Sequence, residues 1–162
     1  MRTITQTLYQ FSELSESAKE QAISTLIDIN TDYNWWESVY VDAENIGLKI
    51  TGFDLDRGTI DGRLLEDGYN VASRIMADHG HECETLKDAN SFLGAYSNAP
   101  KDEDEELDAE FVEDLEADFI RDLLEDYLII LRHEWEYLTS RESITKTIEA
   151  NEYEFDENGN LQ

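Results

Sequence analysis

Apolar residues recur at intervals of three and four along six stretches of this chain, and this spacing predicts amphipathic helices. The longest stretch runs from about residue 107 to 138, where apolar side chains form a wide stripe. It predicts one long helix near the C-terminus. Shorter helices are predicted over about residues 16–29, 36–46, 71–80, 85–96 and 141–150.

A different pattern, rich in β-branched and aromatic residues, predicts strands in the first half of the chain. Residues 48–55 and 59–65 flank Asp56-Arg57-Gly58, which is typical of a β-hairpin. The apolar phase changes at Gly52, so a bulge is expected there. Short strands are also predicted over residues 3–9 and around Tyr153 and Phe155. The expected fold class is α+β: a small antiparallel sheet, made of the N-terminal strand and the hairpin, covered by helices.

The length and composition predict a single domain over residues 1–162. Apolar residues make up 40% of the chain and aromatic residues 10%, enough to build a core, so a disordered acidic chain is not expected. Residues 98–106, which contain the single proline, predict a polar connector before the long helix. One cysteine, Cys83, excludes an internal disulfide and indicates a reducing compartment. No apolar stretch approaches the length of a membrane span and no leader is present, so a cytoplasmic protein is expected.

Charge changes the picture most, because the chain carries 39 acidic and 12 basic residues, a net charge of -27. Sixteen acids and three basic residues lie between Lys101 and Glu136. Solubility of a small domain needs a net charge of only about 2–8 in magnitude. Such acidity argues against direct binding of DNA, RNA or an anionic membrane, since like charges repel, and it favours basic proteins or cations as partners.

Acidic residues on the predicted long helix are the candidate partner-binding residues. Many lie three or four positions apart, and seven such like-charge pairs cost about 2 kcal/mol at about 0.3 kcal/mol each. That cost is large against a total stability of about 5–15 kcal/mol, which favours a functional use over solvation alone. The candidates are Glu110, Glu113, Asp114, Asp118, Asp122, Glu125 and Asp126.

The charge density of this helix can be compared with that of a nucleic acid. Residues 107–136 hold 11 acids and two arginines, a net charge of -9 over about 45 Å of helix. That is about one charge per 5 Å, whereas one DNA strand carries about one per 3.4 Å. A duplex mimic would therefore need the second subunit of a homodimer or a second acidic surface. The acids available for such a surface are Asp42, Glu44, Asp54, Asp56, Asp61, Glu66 and Asp67.

Two clusters of polar residues could form a catalytic or metal site instead of a binding surface. Residues 78–84 include His79, His81 and Cys83, residue types that bind zinc, but their spacing matches no standard site. We favour a polar turn between helices with a buried cysteine. Asp54 and Asp56 near the hairpin turn are equally explained by turn chemistry. No nucleotide-binding or nucleophile motif is present, so we expect no cofactor, catalytic residue or metal ligand.

Three segments, residues 7–23, 35–58 and 148–159, carry a resemblance to known proteins. They begin Thr-Leu-Tyr-Gln-Phe-Ser-Glu-Leu-Ser, Trp-Trp-Glu-Ser-Val-Tyr and Ile-Glu-Ala-Asn-Glu-Tyr. They resemble small acidic proteins of uncharacterised function that phages and mobile elements encode. This resemblance implies a phage setting and supplies no catalytic residues. The charge pattern resembles the DNA-mimic inhibitors that phages use against restriction and CRISPR systems.

Together these observations predict a binding protein of the host cytoplasm rather than an enzyme. We expect an anti-restriction or anti-CRISPR inhibitor whose partner is a basic nucleic-acid-binding protein of the host. Two alternatives stay open. One is a metal-dependent enzyme that uses His79, His81 and Cys83. The other is an antitoxin-like module that covers a basic toxin.

Overall fold

A computed structural model of the chain describes residues 5–162, which form six helices and two small antiparallel sheets. This architecture confirms the predicted α+β class and the long acidic helix. The helices are α1 (Glu16–Thr25), α2 (Glu37–Asn45), α3 (Gly68–Asp78), α4 (Glu84–Ser97), α5 (Ala109–Leu138) and α6 (Arg141–Ala150). The strands are β1 (Tyr9–Gln10), β2 (Leu48–Asp54), β3 (Thr59–Leu64) and β4 (Glu154–Phe155).

The described residues divide into two compact units. The terminal unit comprises residues 5–35 with His133–Gln162, and the central unit comprises Trp36–Arg132. In the terminal unit, α1 and α6 contribute to a core that includes Phe11, Ile144 and Phe155. In the central unit, α2–α4, the β2–β3 hairpin and most of α5 contribute buried side chains.

The N-terminal strand differs from the prediction in its position and in its partner. Strand β1 includes Tyr9 but none of residues 5–8, while Thr3 and Ile4 lie outside the described residues. It pairs with β4, not with the hairpin, and Tyr9 lies opposite Phe155. Since β4 has only two residues, the pairing cannot extend further along the chain. The predicted single sheet is therefore divided into two.

Helix α1 begins where the sequence predicts, with Ser15 at its N-cap, but ends four residues early. The segment that follows is held by Asn30, which is buried. Its side-chain amide donates hydrogen bonds to the carbonyl oxygen of Leu138 and to Ser143 Oγ, both at 3.0 Å. These contacts with residues distant in sequence favour a turn after Thr25, whereas the local periodicity alone favours a longer helix.

The hairpin in the central unit matches the prediction, including its bulge. The β2–β3 register shifts between Ile50 and Gly52, so Thr51 has no opposite residue. Gly62 on β3 allows close packing, because a Cβ atom there would lie 2.6 Å from the Lys49 carbonyl oxygen. The predicted connector is also non-helical, since α4 ends at Ser97 and α5 begins at Ala109.

Candidate partner-binding face and adjoining cavity

Helix α5 buries one side and presents acids on the other. Phe119, Leu123, Tyr127 and Leu131 are buried. Successive residues turn by about 100°, so acids on the opposite side of the helix project into solvent. We call these exposed residues the acidic face: Glu110, Glu113, Asp114, Asp118 and Glu125.

Most acids of the acidic face form no ion pair with the cations in the described part of the chain. Arg121 Nη1 lies 2.9 Å from Asp118 Oδ1, and Arg121 Nη2 lies 3.4 Å from Asp122 Oδ1. Asp118, and then Asp122, raises the pKa of the Arg121 guanidinium. Among residues 5–162, no ion pair within 4.0 Å involves the other four acids of the face, which are Glu110, Glu113, Asp114 and Glu125.

Glu116, on the same helix, has a structural role instead. Its Oε1 atom accepts a hydrogen bond of 2.6 Å from the N–H of Gly68, the first residue of α3. A carboxylate at a helix N-terminus satisfies a free N–H and interacts favourably with the helix dipole. A Cβ atom at Gly68 would lie 2.7 Å from the Phe92 ring, so this close approach requires glycine. Glu116 therefore stabilises the start of α3.

Asp126, which the sequence groups with the partner-binding acids, is set apart by its half-buried position. Burial raises the pKa of the Asp126 carboxyl to about 7, and a hydrogen bond with the Asp88 carboxyl on α4 contributes to this increase. Burial also raises the pKa of Asp88. Since a carboxylate cannot donate, a hydrogen bond between the two requires a shared proton. Asp122 is half-buried as well.

The acids that could supply a second acidic surface are largely engaged. Glu44, Asp54 and Glu66 form ion pairs with Lys49, Arg57 and Arg74 respectively. Asp42 accepts a 2.7 Å hydrogen bond from the Tyr127 hydroxyl, and Asp67 caps α3 by accepting the Asn70 N–H. Asp56 and Asp61 are exposed. Asp54 Oδ1 also accepts the Arg57 N–H, which supports the turn explanation of the hairpin acids.

The turn rich in histidine joins α3 to α4, as the sequence predicts, but Cys83 is exposed, so the predicted burial of this cysteine is wrong. Cys83 lies at the N-cap position of α4, at the surface. His79 Nδ1 lies 2.6 Å from Thr85 Oγ1, and His81 is exposed. Within residues 5–162, no group of three or more His, Cys, Asp or Glu side chains is arranged to hold a metal ion.

A cavity of about 460 Å³ lies in the central unit, and sequence reasoning missed it. Its wall combines residues from α2, from the α3–α4 turn, from the start of α4 and from α5. No local pattern in the sequence indicates that these segments meet. The residues that line it include Asp42, His79, Glu84, Asp126, Ile129 and Ile130.

Comparison with known proteins identifies no relative: no family model, curated protein or solved structure matches this chain. The resemblance to phage proteins and to DNA-mimic inhibitors therefore stays a prediction. No helix within residues 5–162 is both long and apolar enough to cross a membrane.

Proposed function

We propose that this protein is a stoichiometric inhibitor whose acidic face occupies the positively charged nucleic-acid site of a host defence protein, such as a restriction enzyme or CRISPR effector. The observation that carries the proposal is the set of acids on that face that form no ion pair with any cation among residues 5–162. Glu110 and Glu125, at its two ends, are 15 residues apart, so the face extends about 22 Å along α5.

Within the described residues, most acids of the face also make no contact that stabilises the fold. Glu116 and Asp126 contact other parts of the fold, whereas Glu110, Glu113 and Asp114 project into solvent. The pairs Glu110–Glu113, Glu110–Asp114 and Asp114–Asp118 are helix neighbours of like charge. At about 0.3 kcal/mol each they cost about 1 kcal/mol. These repulsions lower the free energy of unfolding and no contact of these acids offsets them, which supports a role in binding.

The spacing of the charges favours a groove that holds one nucleic-acid strand. Five acids and Arg121 give the face a net charge of -4 over its length, about one charge per 5–6 Å. This density is nearer to that of one strand, about one per 3.4 Å, than to that of a duplex, about one per 1.7 Å. Most acids of the candidate second surface are engaged, so we do not propose a full duplex mimic.

Affinity capture from a bacterial lysate tests the proposal, using the wild-type protein and two variants of equal net charge. The face variant carries Glu110→Lys, Glu113→Lys, Asp114→Lys and Glu125→Lys. The control variant carries Asp32→Lys, Glu136→Lys, Glu149→Lys and Glu157→Lys, four exposed positions in the terminal unit. Each set changes the net charge from -27 to -19. Circular dichroism verifies that both variants are folded.

We expect the wild type and the control variant to capture a nucleic-acid-binding protein that competing nucleic acid releases. The face variant should not capture it. Equal capture by both variants would show that the face is not the contact. Capture of a basic toxin without a nucleic-acid site would favour the antitoxin-like alternative instead.

A further inference from the structure

The cavity in the central unit has the size and lining of a small-ligand site. Its volume of about 460 Å³ lies within the range of about 300–1,000 Å³ that such sites occupy. Ile129 and Ile130 of α5 form part of its wall, and their side chains are 52% and 43% exposed. Asp42 and Asp126 add carboxylates to the same wall. The cavity therefore combines an apolar surface with negative charge.

Asp126 contributes a half-buried carboxyl to the wall of this cavity. Its Oδ2 atom is buried and has no donor among residues 5–162 apart from the proton that Asp126 shares with Asp88. Buried polar atoms without a partner are rare in folded proteins, and each one needs an explanation. When Asp126 loses that proton, a ligand with an N–H donor in the cavity would provide a charged hydrogen-bond partner for its carboxylate.

The groups around Asp126 determine the charge of the ligand. Helix α4 contributes Glu84, Lys87 and Asp88, α5 contributes Asp122 and Glu125, and α2 contributes Asp42. The end of α3 and the turn after it add Asp78, His79 and Cys83 to the wall of the cavity. Lys87 is paired with Glu84, and the ring of His79 is engaged with Thr85. The surroundings are therefore negative overall, which favours a cation. The apolar wall favours a cation on an alkyl chain, because such chains pack on apolar surfaces while the charged end reaches a polar partner.

We propose that this cavity binds an aliphatic amine cation, with its alkyl chain against Ile129 and Ile130 and its ammonium group at Asp126. Two sources share this chemistry: a lysine side chain presented by a protein, and a free diamine. The site stands independently of the function proposed above, because its test needs no protein partner.

Titration of the full chain with two probes, followed by NMR, tests this site. The probes are putrescine and Nα-acetyl-lysine methylamide, at pH 8 and 0.15 M salt. We expect saturable shifts at the methyl groups of Ile129 and Ile130. Asp126→Asn should weaken binding about tenfold or more, because it removes a charged hydrogen-bond partner. Glu149→Gln is the matched control: it also removes one acidic charge, but from an exposed position in the terminal unit, and should change the affinity less than about threefold.

The pH dependence of binding provides a second test of the site. The amine stays charged between pH 6 and pH 8, because an aliphatic ammonium has a pKa near 10.4. Asp126 must lose its proton to bind the ammonium, so wild-type affinity should be lower at pH 6 than at pH 8. This difference should disappear in Asp126→Asn. If that variant alters the fold, Ile130→Ala at an exposed position provides an independent test of the apolar wall.

The outcomes separate the two sources. Tighter binding of putrescine would support the site with a free diamine as its ligand. Equal or tighter binding of the lysine amide would support it with a lysine side chain. Absence of saturation at Ile129 and Ile130 with both probes would overturn the proposal, as would unchanged affinity in both Asp126→Asn and Ile130→Ala.

Discussion

Asp126 shows at the residue scale how position on a helix changes the chemistry of an acid. Glu125, its neighbour, is exposed, whereas Asp126 is rotated by about 100° toward α4 and contacts Asp88. Burial and this second carboxyl disfavour its charged form. The result is a carboxyl that exchanges its proton near neutral pH, on a helix whose other acids lie in solvent.

The raised pKa of Asp126 predicts a pH-dependent stability. Its folded pKa of about 7 exceeds the ordinary value of 3.8, so the folded state binds the proton more tightly than the unfolded state. The stabilisation is fully present below about pH 4 and is lost as pH rises through 7. An asparagine amide can donate permanently to Asp88. Asp126→Asn should therefore raise the free energy of unfolding at pH 8, by about 1 kcal/mol after allowing for solvent screening.

Urea denaturation at pH 5 and pH 8 measures this effect. The advantage of Asp126→Asn over the wild type should be larger at pH 8. Glu149→Gln, at an exposed position in the terminal unit, controls for the general benefit of removing one negative charge and should show no comparable change between the two pH values. A pH-independent difference between Asp126→Asn and the wild type would contradict the shared proton.

Glu116 and Glu113 lie one turn apart on α5 and provide a second comparison between residues. Glu116→Ala removes the acceptor of the Gly68 N–H and should lower the free energy of unfolding by about 1–3 kcal/mol. Glu113→Ala, at an exposed position, should change it by less than about 0.5 kcal/mol. Urea denaturation of both variants measures the two changes in the free energy of unfolding. Equal effects would mean that the contact with Gly68 contributes nothing.

At the scale of the element, α5 combines a buried apolar side with an exposed row of like charges. The buried side provides the stability of a helix of 30 residues. The exposed side opposes it, and Arg121 offsets only the repulsion between Asp118 and Asp122. The remaining repulsion lies toward the N-terminal half of the helix, around Asp114.

Asp114→Lys should therefore stabilise the protein. The introduced ammonium group would lie four residues from both Glu110 and Asp118, so two repulsions would become two attractions. At about 0.3 kcal/mol for each repulsion removed and each attraction formed, the gain is about 1 kcal/mol at low salt. Thermal unfolding at 20 mM and at 1 M salt measures it, and the gain should shrink at 1 M, where the Debye length is about 3 Å. A variant less stable than the wild type at low salt would contradict repulsion along the face.

The elements that the sequence predicts well are those with a long local pattern. Helices α5 and α6 and the β2–β3 hairpin follow from periodicity and turn residues, and their bounds differ little from the expected ones. The sequence misplaces strand β1 because its partner β4 lies about 145 residues away, and no local pattern specifies that pairing. The end of α1 differs from the prediction for a similar reason, because Asn30 bonds to residues far along the chain.

The candidate site, like the fold, could be predicted only in part from the sequence. Exposed acids such as Glu113 and Asp118 follow from helical spacing alone. The roles of Glu116 and Asp126 depend on Gly68 and Asp88, which other helices bring close, so the sequence could not separate them from the acidic face. The cavity beside Asp126 is also formed by segments distant in sequence.

At the scale of the whole molecule, charge is the dominant feature, and both units carry a large negative net charge. The central unit holds 26 acidic and eight basic residues, a net charge of -18, whereas the rest of the chain accounts for the other -9. Such charge opposes compaction but accelerates association with a basic partner, and salt weakens that association. An inhibitor that acts on a nucleic-acid site benefits from this steering.

The most direct test of this function is displacement of nucleic acid from the captured partner. Fluorescence anisotropy would follow a labelled oligonucleotide bound to that partner as the protein described here is added. We predict full displacement at one equivalent of wild-type protein, the same displacement by the control variant, and none by the face variant. A complex that holds the partner, the nucleic acid and this protein together would contradict competition for the nucleic-acid site.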